Sequence, residues 1–209
     1  MNMDKHYCIC IGRKFGSGGR NVAKMVADRL GIRVYDRDLL KTASESTGFS
    51  ETFFDEADEE KTRKGLRSLF MNHLTGSGLS NNYLSNESIF KMQSEAIKAI
   101  HEREDCVFIG RCADYVLRDS DRMLNVFVAA TIEDRVDRIC RHSGGELNQR
   151  KALSLIEDID RKRSSYYNYF TGRTWGDPAV YDICLNSSVL GYEKCAGIIV
   201  ALAEERLGI

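Results

Sequence analysis

The sequence predicts a doubly wound α/β domain on a five-stranded parallel sheet, and three observations carry that expectation. An apolar run, "HYCICIG" (6–12), breaks into the glycines of "GSGG" (16–19) and then resumes at helical spacing. Further short apolar runs alternate with amphipathic stretches along the rest of the chain. Strand, helix and strand within the first 36 residues demand a right-handed crossover, and therefore parallel pairing. The length of 209 residues suits one domain, 1–209, with polar excursions.

Each element follows in order. The first strand is apolar on both faces, as a central parallel strand is. A helix runs from about Gly19 to Leu30 with Val22, Val26 and Leu30 on one face, and Gly31 stands where a left-handed residue stops a helix. "IRVY" (32–35) is a short second strand. From 45 to 103 no strand is expected: "ETFFDEADEEKTRK" (51–64) reads as an acidic helix and "LTGSGLSNNYLSN" (74–86) as a loop. A helix after a Ser85 or Asn86 cap turns Ile89, Met92, Ala96, Ile97 and Ile100 inward. "CVFIGRCAD" (106–114) and "MLNVFVAA" (123–130) return to the sheet, and Thr131 with Asp134 forms a capping box for "IEDRVDRICRH". A long helix over 150–170 buries Ala152, Leu155, Ile156 and Ile159 and crowds its distal end with arginines and tyrosines. A turn-rich link, the strand "YDICLN" (181–186) and an amphipathic helix from Gly191 complete the chain.

Composition narrows the function. A formal net charge of −1 leaves no electrostatic footprint for nucleic acid. No apolar stretch approaches the roughly 20 residues that cross a bilayer. Seven cysteines, an odd number without a CxxC pair, and no secretory segment at "MNMDKHYCIC" point to a reducing, cytoplasmic setting. Cys8 and Cys10 alternate within an apolar run and read as small core residues. Arginines outnumber lysines and collect beside strand ends and helix starts, where a planar guanidinium grips phosphate.

A glycine-rich turn between a strand and a helix offers backbone N–H groups and the positive end of the helix to one anion. Two anions compete. Gly12, Gly16 and Gly18 reproduce the GxxxGxG spacing of short-chain dehydrogenases, with Asp36 where a ribose-binding carboxylate sits. Those enzymes need a lysine four residues after a tyrosine, and here Asp119 follows Tyr115 and Phe170 follows Tyr166 at that distance. The other is a nucleotide triphosphate in a GxxxxGK[ST] loop, whose best register runs from Lys14 to Asn21. Arg20 then stands in the lysine position and Asn21 in the magnesium-binding hydroxyl position, both departures from the motif.

The whole pattern resembles the cytidylate kinase-like family of nucleoside monophosphate kinases. The likeness is carried by "GRKFGSGGR" (12–20), "LGIRVYDRDLL" (30–40), "FIGRCADYVL" (108–117), "DRKRSSYYNYFTGRTWGD" (160–177) and "YDICLNSS" (181–188). It implies a P-loop kinase sheet of order 2-3-1-4-5, a helical acceptor-side insertion over 45–103 and a lid over 142–180. It also implies ATP with Mg2+ as donor and a small-molecule nucleotide, such as CMP, as acceptor. Gly16, Ser17, Gly18, Gly19, Arg20 and Asn21 would hold the donor phosphates, with Asn21 toward magnesium. Asp36, Arg111 and Asp114 would bind the acceptor, Arg138 and Arg141 would lie on the adenine side, and Arg161 and Arg163 would close over the transferring group beside Arg20. A nucleotide-binding regulatory protein of the same fold, without efficient turnover, is the alternative, because the lysine and the hydroxyl are missing.

Overall fold

The structure is a computed structural model that describes residues 6–36 and 86–209. The acidic helix expected at 51–64 and the loop at 74–85 lie outside the described residues. In chain order the elements are β1 (Cys8–Arg13), α1 (Gly19–Leu30), β2 (Arg33–Tyr35), α2 (Asn86–His101), β3 (Cys106–Ile109) and α3 (Ala113–Val116). They continue with β4 (Met123–Ala129), α4 (Ile132–His142), α5 (Gln149–Thr171), a 3₁₀ turn (Pro178–Val180), β5 (Ile183–Asn186) and α6 (Ser187–Leu207).

Five strands pair in parallel in the order β2-β3-β1-β4-β5, the order the resemblance implies. Cys8 of β1 lies opposite Cys106 of β3 on one side and Met123 of β4 on the other, so β1 is central as its two apolar faces require. This is not the 3-2-1-4-5-6 order of dinucleotide-binding sheets.

On one face Ile9, Ile11, Val107, Ile109, Leu124 and Val126 pack against Val22 and Val26 of α1 and Ile199 and Ala203 of α6. Fully burying each of these larger side chains contributes about 1.5–3 kcal/mol. On the other face Cys8, Cys10, Cys106 and Phe108 lie under Ile97 and Ile100 of α2 and Val116 of α3. Burial pushes the Cys10 thiol up, which suits an inert core residue.

Caps set the helix ends. Thr131 accepts from the Asp134 N–H at 3.4 Å and Asn148 from the Lys151 N–H at 3.0 Å, while Gly31 and Gly172 close α1 and α5 in the left-handed region. Two elements depart from the sequence expectation. In α2 the polar Gln93 is buried, while Ile89 and Met92 are only half-buried. The reason is α5: the Tyr166 hydroxyl donates to Gln93 Oε1 at 3.2 Å, and Phe90 stacks on Phe170 with centroids 4.3 Å apart. The last helix starts at Ser187 rather than Gly191, with Asn186 accepting from the Ser188 N–H at 3.0 Å. Gly191, at φ 73° and ψ 168°, marks the kink where the expected helix begins.

Candidate active site

The glycine loop leaves β1 at the carboxyl end of the sheet and enters α1 through Gly18, which has φ +76°. A Cβ on Gly18 would lie 2.2 Å from the Tyr192 ring, so both conformation and space demand glycine there. The loop's carbonyls are held from outside. Arg163 donates to Arg13 O at 2.9 Å, Arg135 Nε to Phe15 O at 2.6 Å, Arg138 to Gly16 O at 3.3 Å and Ser187 Oγ to Ser17 O at 2.6 Å. These donors come from α4, α5 and the start of α6, so three elements fix the direction of a single turn. Within the described residues the Gly16 and Gly18 N–H groups have no protein acceptor. The first-turn amides of α1 likewise lack an intrahelical acceptor, which makes an anion their natural partner.

Beside the loop, β1, α1, β2 and β3 bring charge to one point. Asp36, only 8% exposed, follows β2 and accepts from Arg20 Nε at 3.0 Å and Arg20 Nη2 at 2.5 Å. Arg13 Nη2 lies 3.9 Å from the other carboxylate oxygen. Burial pushes the Asp36 carboxyl up, but Arg13, Arg20 and Arg111 together outweigh it and hold it below the ordinary value. Arg111 sits in a turn whose three successive residues, Gly110, Arg111 and Cys112, have φ of 68°, 59° and 56°. Two non-glycine residues in the left-handed region cost about 1–3 kcal/mol each, strain of the kind stored where a side chain must be aimed. A Cβ on Gly110 would meet Arg13 Nη1 at 2.3 Å, so that guanidinium lies directly on the turn.

On the α5 side, Asp160 accepts from the Phe15 N–H at 2.8 Å and pairs with Arg135. Lys14 Nζ stands 4.0 Å from Asp160 and 4.4 Å over the centroid of Trp175. Burial pulls the Lys14 ammonium down, Asp160 opposes that, and Arg135 and Arg163 add to it. At the far end of α5 the buried Tyr167 hydroxyl donates to Asp114 Oδ2 at 2.5 Å. Burial raises the Asp114 carboxyl against that bond and the charge of Arg173.

The structure therefore brings together Gly16, Ser17, Gly18, Gly19, Arg20, Asp36, Arg111, Arg138 and Arg163 around one strand edge. Asp114 is joined to α5 by Tyr167 rather than to Asp36. Arg141 bonds the Asp137 carbonyl on an exposed part of α4, and the 70%-exposed Arg161 side chain pairs with Asp158; neither joins the cluster. Arg13, Lys14, Arg135, Asp160 and Ser187 take part although none was among the expected site residues. Only their place beside a strand end or helix start hinted at them: the Arg135–Phe15 and Ser187–Ser17 bonds span 120 and 170 residues, and the Arg13–Asp36 and Arg135–Asp160 pairs join different elements. Asn21 is exposed on the first turn of α1, and both Asp36 and Asp160 are committed to guanidiniums. Among the described residues no group of three His, Cys, Asp or Glu side chains that could hold a metal ion forms.

A model of the cytidylate kinase-like family matches residues 8–189, and the chain belongs to that family. The chain is 24% identical over 199 residues to a cytidylate kinase from Archaeoglobus fulgidus, covering 94% of each. A cytidylate kinase from Desulfurococcus amylolyticus is 22% identical over 146 residues, 67% of this chain and 77% of the relative. Among solved structures, a protein from Eubacterium ventriosum superposes with a TM-score of 0.70 at 25% identity, over 96% of this chain and 100% of its own. A shikimate kinase from Acinetobacter baumannii, at 14% identity and TM-score 0.52 over 97% and 95%, shares the fold. Among the described residues no helix is long and apolar enough to cross a membrane.

Proposed function

As a member of the cytidylate kinase-like family, this chain is, we propose, a phosphotransferase that moves the terminal phosphoryl group of ATP to a pyrimidine nucleoside monophosphate, with CMP the first candidate. The observation that carries the reading is the glycine loop. Its carbonyls are held by Arg135, Arg138, Arg163 and Ser187 and its Phe15, Ser17 and Gly19 amides by Asp160, the Lys14 carbonyl and Ser17 Oγ, so the Gly16 and Gly18 N–H groups are the ones left to a polyphosphate. Gly16 to Asn21 hold the donor. Arg138 supports the adenine side, since its guanidinium already lies 5.0 Å over an aromatic ring, that of Tyr192. Arg111 and Asp114 belong to the acceptor side and Arg163 to the lid.

Phosphoryl transfer asks a protein mainly to align two phosphates and to neutralise charge on the equatorial oxygens. The arginines do this without a general base. Mg2+ bound with ATP would help to neutralise the phosphate charge; Asn21 is the loop residue that could offer it an oxygen, and the nucleotide and water would supply most of its ligands.

The test is ADP release with ATP and Mg2+ against CMP, dCMP, UMP and AMP. Release that depends on a pyrimidine monophosphate supports the assignment. ATP binding without acceptor-dependent release favours the regulatory alternative, for which the specific observation is Arg20, turned onto Asp36 in place of a loop lysine.

A further inference from the structure

One face of α5 touches the glycine loop at one point and the Arg111 turn at another. Asp160, Arg163 and Tyr167 stand at i, i+3 and i+7, so their side chains share one stripe of the helix. Asp160 accepts from the Phe15 N–H at 2.8 Å and Arg163 donates to Arg13 O at 2.9 Å, both at the root of the glycine loop. About 10 Å further along the axis from Asp160, the Tyr167 hydroxyl donates to Asp114 Oδ2, three residues beyond Arg111. The end of α5 reaches the same place a second time. Thr171 donates to Tyr167 O at 2.7 Å and accepts from the Arg173 N–H at 3.0 Å, and the Arg173 guanidinium carbon lies 5.6 Å over the ring of Tyr115. The turn needs such a hold, because left-handed Arg111 and Cys112 persist only where their surroundings over-determine them, and Cys112 offers α3 no side-chain cap. Asp114 is 6% exposed, with Oδ2 committed to Tyr167, so it is poorly placed to meet a ligand itself.

We propose that Tyr167 and Asp114 are positioning residues which, through α5, hold the Arg111 turn in register with the glycine loop, and that Asp114 acts by its bond to Tyr167 and not by contact with the acceptor. Pairing of β1 with β3 fixes the two strand ends. The helix adds a support beyond the strands, where the loop and Arg111 stand. Phosphoryl transfer tolerates little error in that spacing, since a misplacement of about 1 Å can cost a hundredfold in rate. The role in turnover rests on the kinase assignment; the mechanical link between turn and loop does not.

Amide hydrogen exchange on the full chain, without ligand, tests the link. The Ala113 N–H bonds Gly110 O, and the Tyr115 and Val116 N–H groups bond Cys112 O. In Tyr167→Phe these amides should exchange about tenfold faster, while the Phe15 and Ser17 amides keep their wild-type rates and so report an intact fold. Arg163→Ala loosens the other end of the helix. It should speed exchange at 113–116 when Tyr167 is present and add nothing to Tyr167→Phe, a non-additivity that requires a continuous connection. Tyr169→Phe, which removes an exposed hydroxyl bonded to Glu87, should change nothing. Steady-state kinetics then tests positioning. Tyr167→Phe should lower kcat with the best pyrimidine acceptor about tenfold and leave KM for ATP within about twofold. Asp114→Asn keeps an oxygen that accepts from the Tyr167 hydroxyl, so its kcat should fall between those of wild type and Asp114→Ala.

Wild-type exchange at 113–116 in Tyr167→Phe overturns the proposal, as do additive effects of Tyr167→Phe and Arg163→Ala. Faster exchange with a wild-type kcat would make the bond a brace of the fold and overturn the positioning role. Equal rises in KM for the acceptor in Asp114→Asn and Asp114→Ala would make the carboxylate charge itself a ligand contact and refute the role given to Asp114. The expected exchange pattern, with no ADP release from any monophosphate, would remove the kinase assignment and leave the link between turn and loop standing.

Discussion

The Tyr167 hydroxyl donates to Asp114 Oδ2 at 2.5 Å, joining the distal end of α5 to the short helix that follows β3. The bond lies inside the protein and its carboxylate titrates against burial, so Asp114 and Asp36 affect stability in opposite senses. Asp114 is raised above the ordinary value of 3.8, so between that value and its folded value the native state holds more protons than the unfolded one, and stability falls as pH rises through this window. Asp36 is lowered from 3.8, so its contribution is present above that value and is lost as pH falls through its folded value. Urea midpoints measured from pH 2.5 to 6.5 should show Asp114→Asn removing the decline just above 3.8, and Asp36→Asn removing part of the acid loss below it. Tyr167→Phe should extend the Asp114 window to higher pH. Parallel changes in the two asparagine variants would refute the opposed shifts.

Gly18 and Gly31 separate backbone strain from steric contact. Both have positive φ, but a Cβ on Gly31 meets nothing within 4 Å, whereas one on Gly18 lies 2.2 Å from Tyr192. Gly31→Ala should cost about 1–2 kcal/mol, the left-handed penalty alone. Gly18→Ala should cost more, and in a Tyr192→Ala background its cost should drop to that of Gly31→Ala. A double-mutant cycle in urea reads the difference, and additivity of Gly18→Ala and Tyr192→Ala would show that the ring gives way freely.

Trp175 is the sole tryptophan, and Lys14 lies over its ring. A polyphosphate entering the loop attracts that ammonium, which the ring and Asp160 hold only weakly, by about 0.5–1 kcal/mol for the cation–π contact. ATP should therefore change Trp175 emission in the wild type and not in Lys14→Met, with affinity altered only a few-fold. An identical emission change in Lys14→Met would show that the signal comes from elsewhere in the lid.

The sheet was readable because apolar alternation, the glycine at a helix end and the crossover requirement are local or topological constraints. β1 placed itself at the centre by having no polar face. Placement at the sheet's carboxyl edge was readable where a residue lies beside its own strand end, as with Gly16 to Gly19 and Arg111. It was not readable where partners meet across the fold. No local pattern says that Asp160 caps the Phe15 amide or that Ser187 holds the Ser17 carbonyl. Arg135 illustrates the limit. Its helix offers Glu133, Asp134 and Asp137 as neighbours, yet it is the half-buried Asp160 on α5 that pairs with it, because the buried charge of Arg135 needs a partner on the inner side of the helix.

Arg111 is the proposed acceptor-side residue most open to a single substitution. It emerges from a turn aimed by its own backbone, so removing the side chain leaves the loop and α1 intact. Arg111→Ala should weaken CMP binding by about 1.5–3 kcal/mol, the range of a charge-assisted contact, and leave ATP nearly unaffected. Calorimetry with each nucleotide separately reads this, and equal losses for both would make Arg111 a structural residue.

Arg161 and Arg163 lie two residues apart in "DRKR", and the structure divides them. Arg161 is turned to solvent and pairs with Asp158, an exposed contact of little energetic weight. Arg163 reaches the Arg13 carbonyl at 2.9 Å, and its guanidinium carbon lies 5.6 Å over the Phe15 ring, so its charge is delivered to the glycine loop itself. If α5 closes over the transferring group, Arg163→Ala should lower kcat by roughly two orders of magnitude or more, the scale of losing one transition-state donor, while Arg161→Ala stays within about twofold. Lysine at position 163 separates charge from architecture. It can still donate once to Arg13 O, so thermal stability should return to the wild-type value, but with one ammonium in place of a fork turnover should recover only in part. Steady-state kinetics with the best pyrimidine acceptor decides between them. Full recovery of kcat in Arg163→Lys would reduce Arg163 to a brace for the loop, and equal losses in the two alanine variants would show that the lid presents both arginines when it closes.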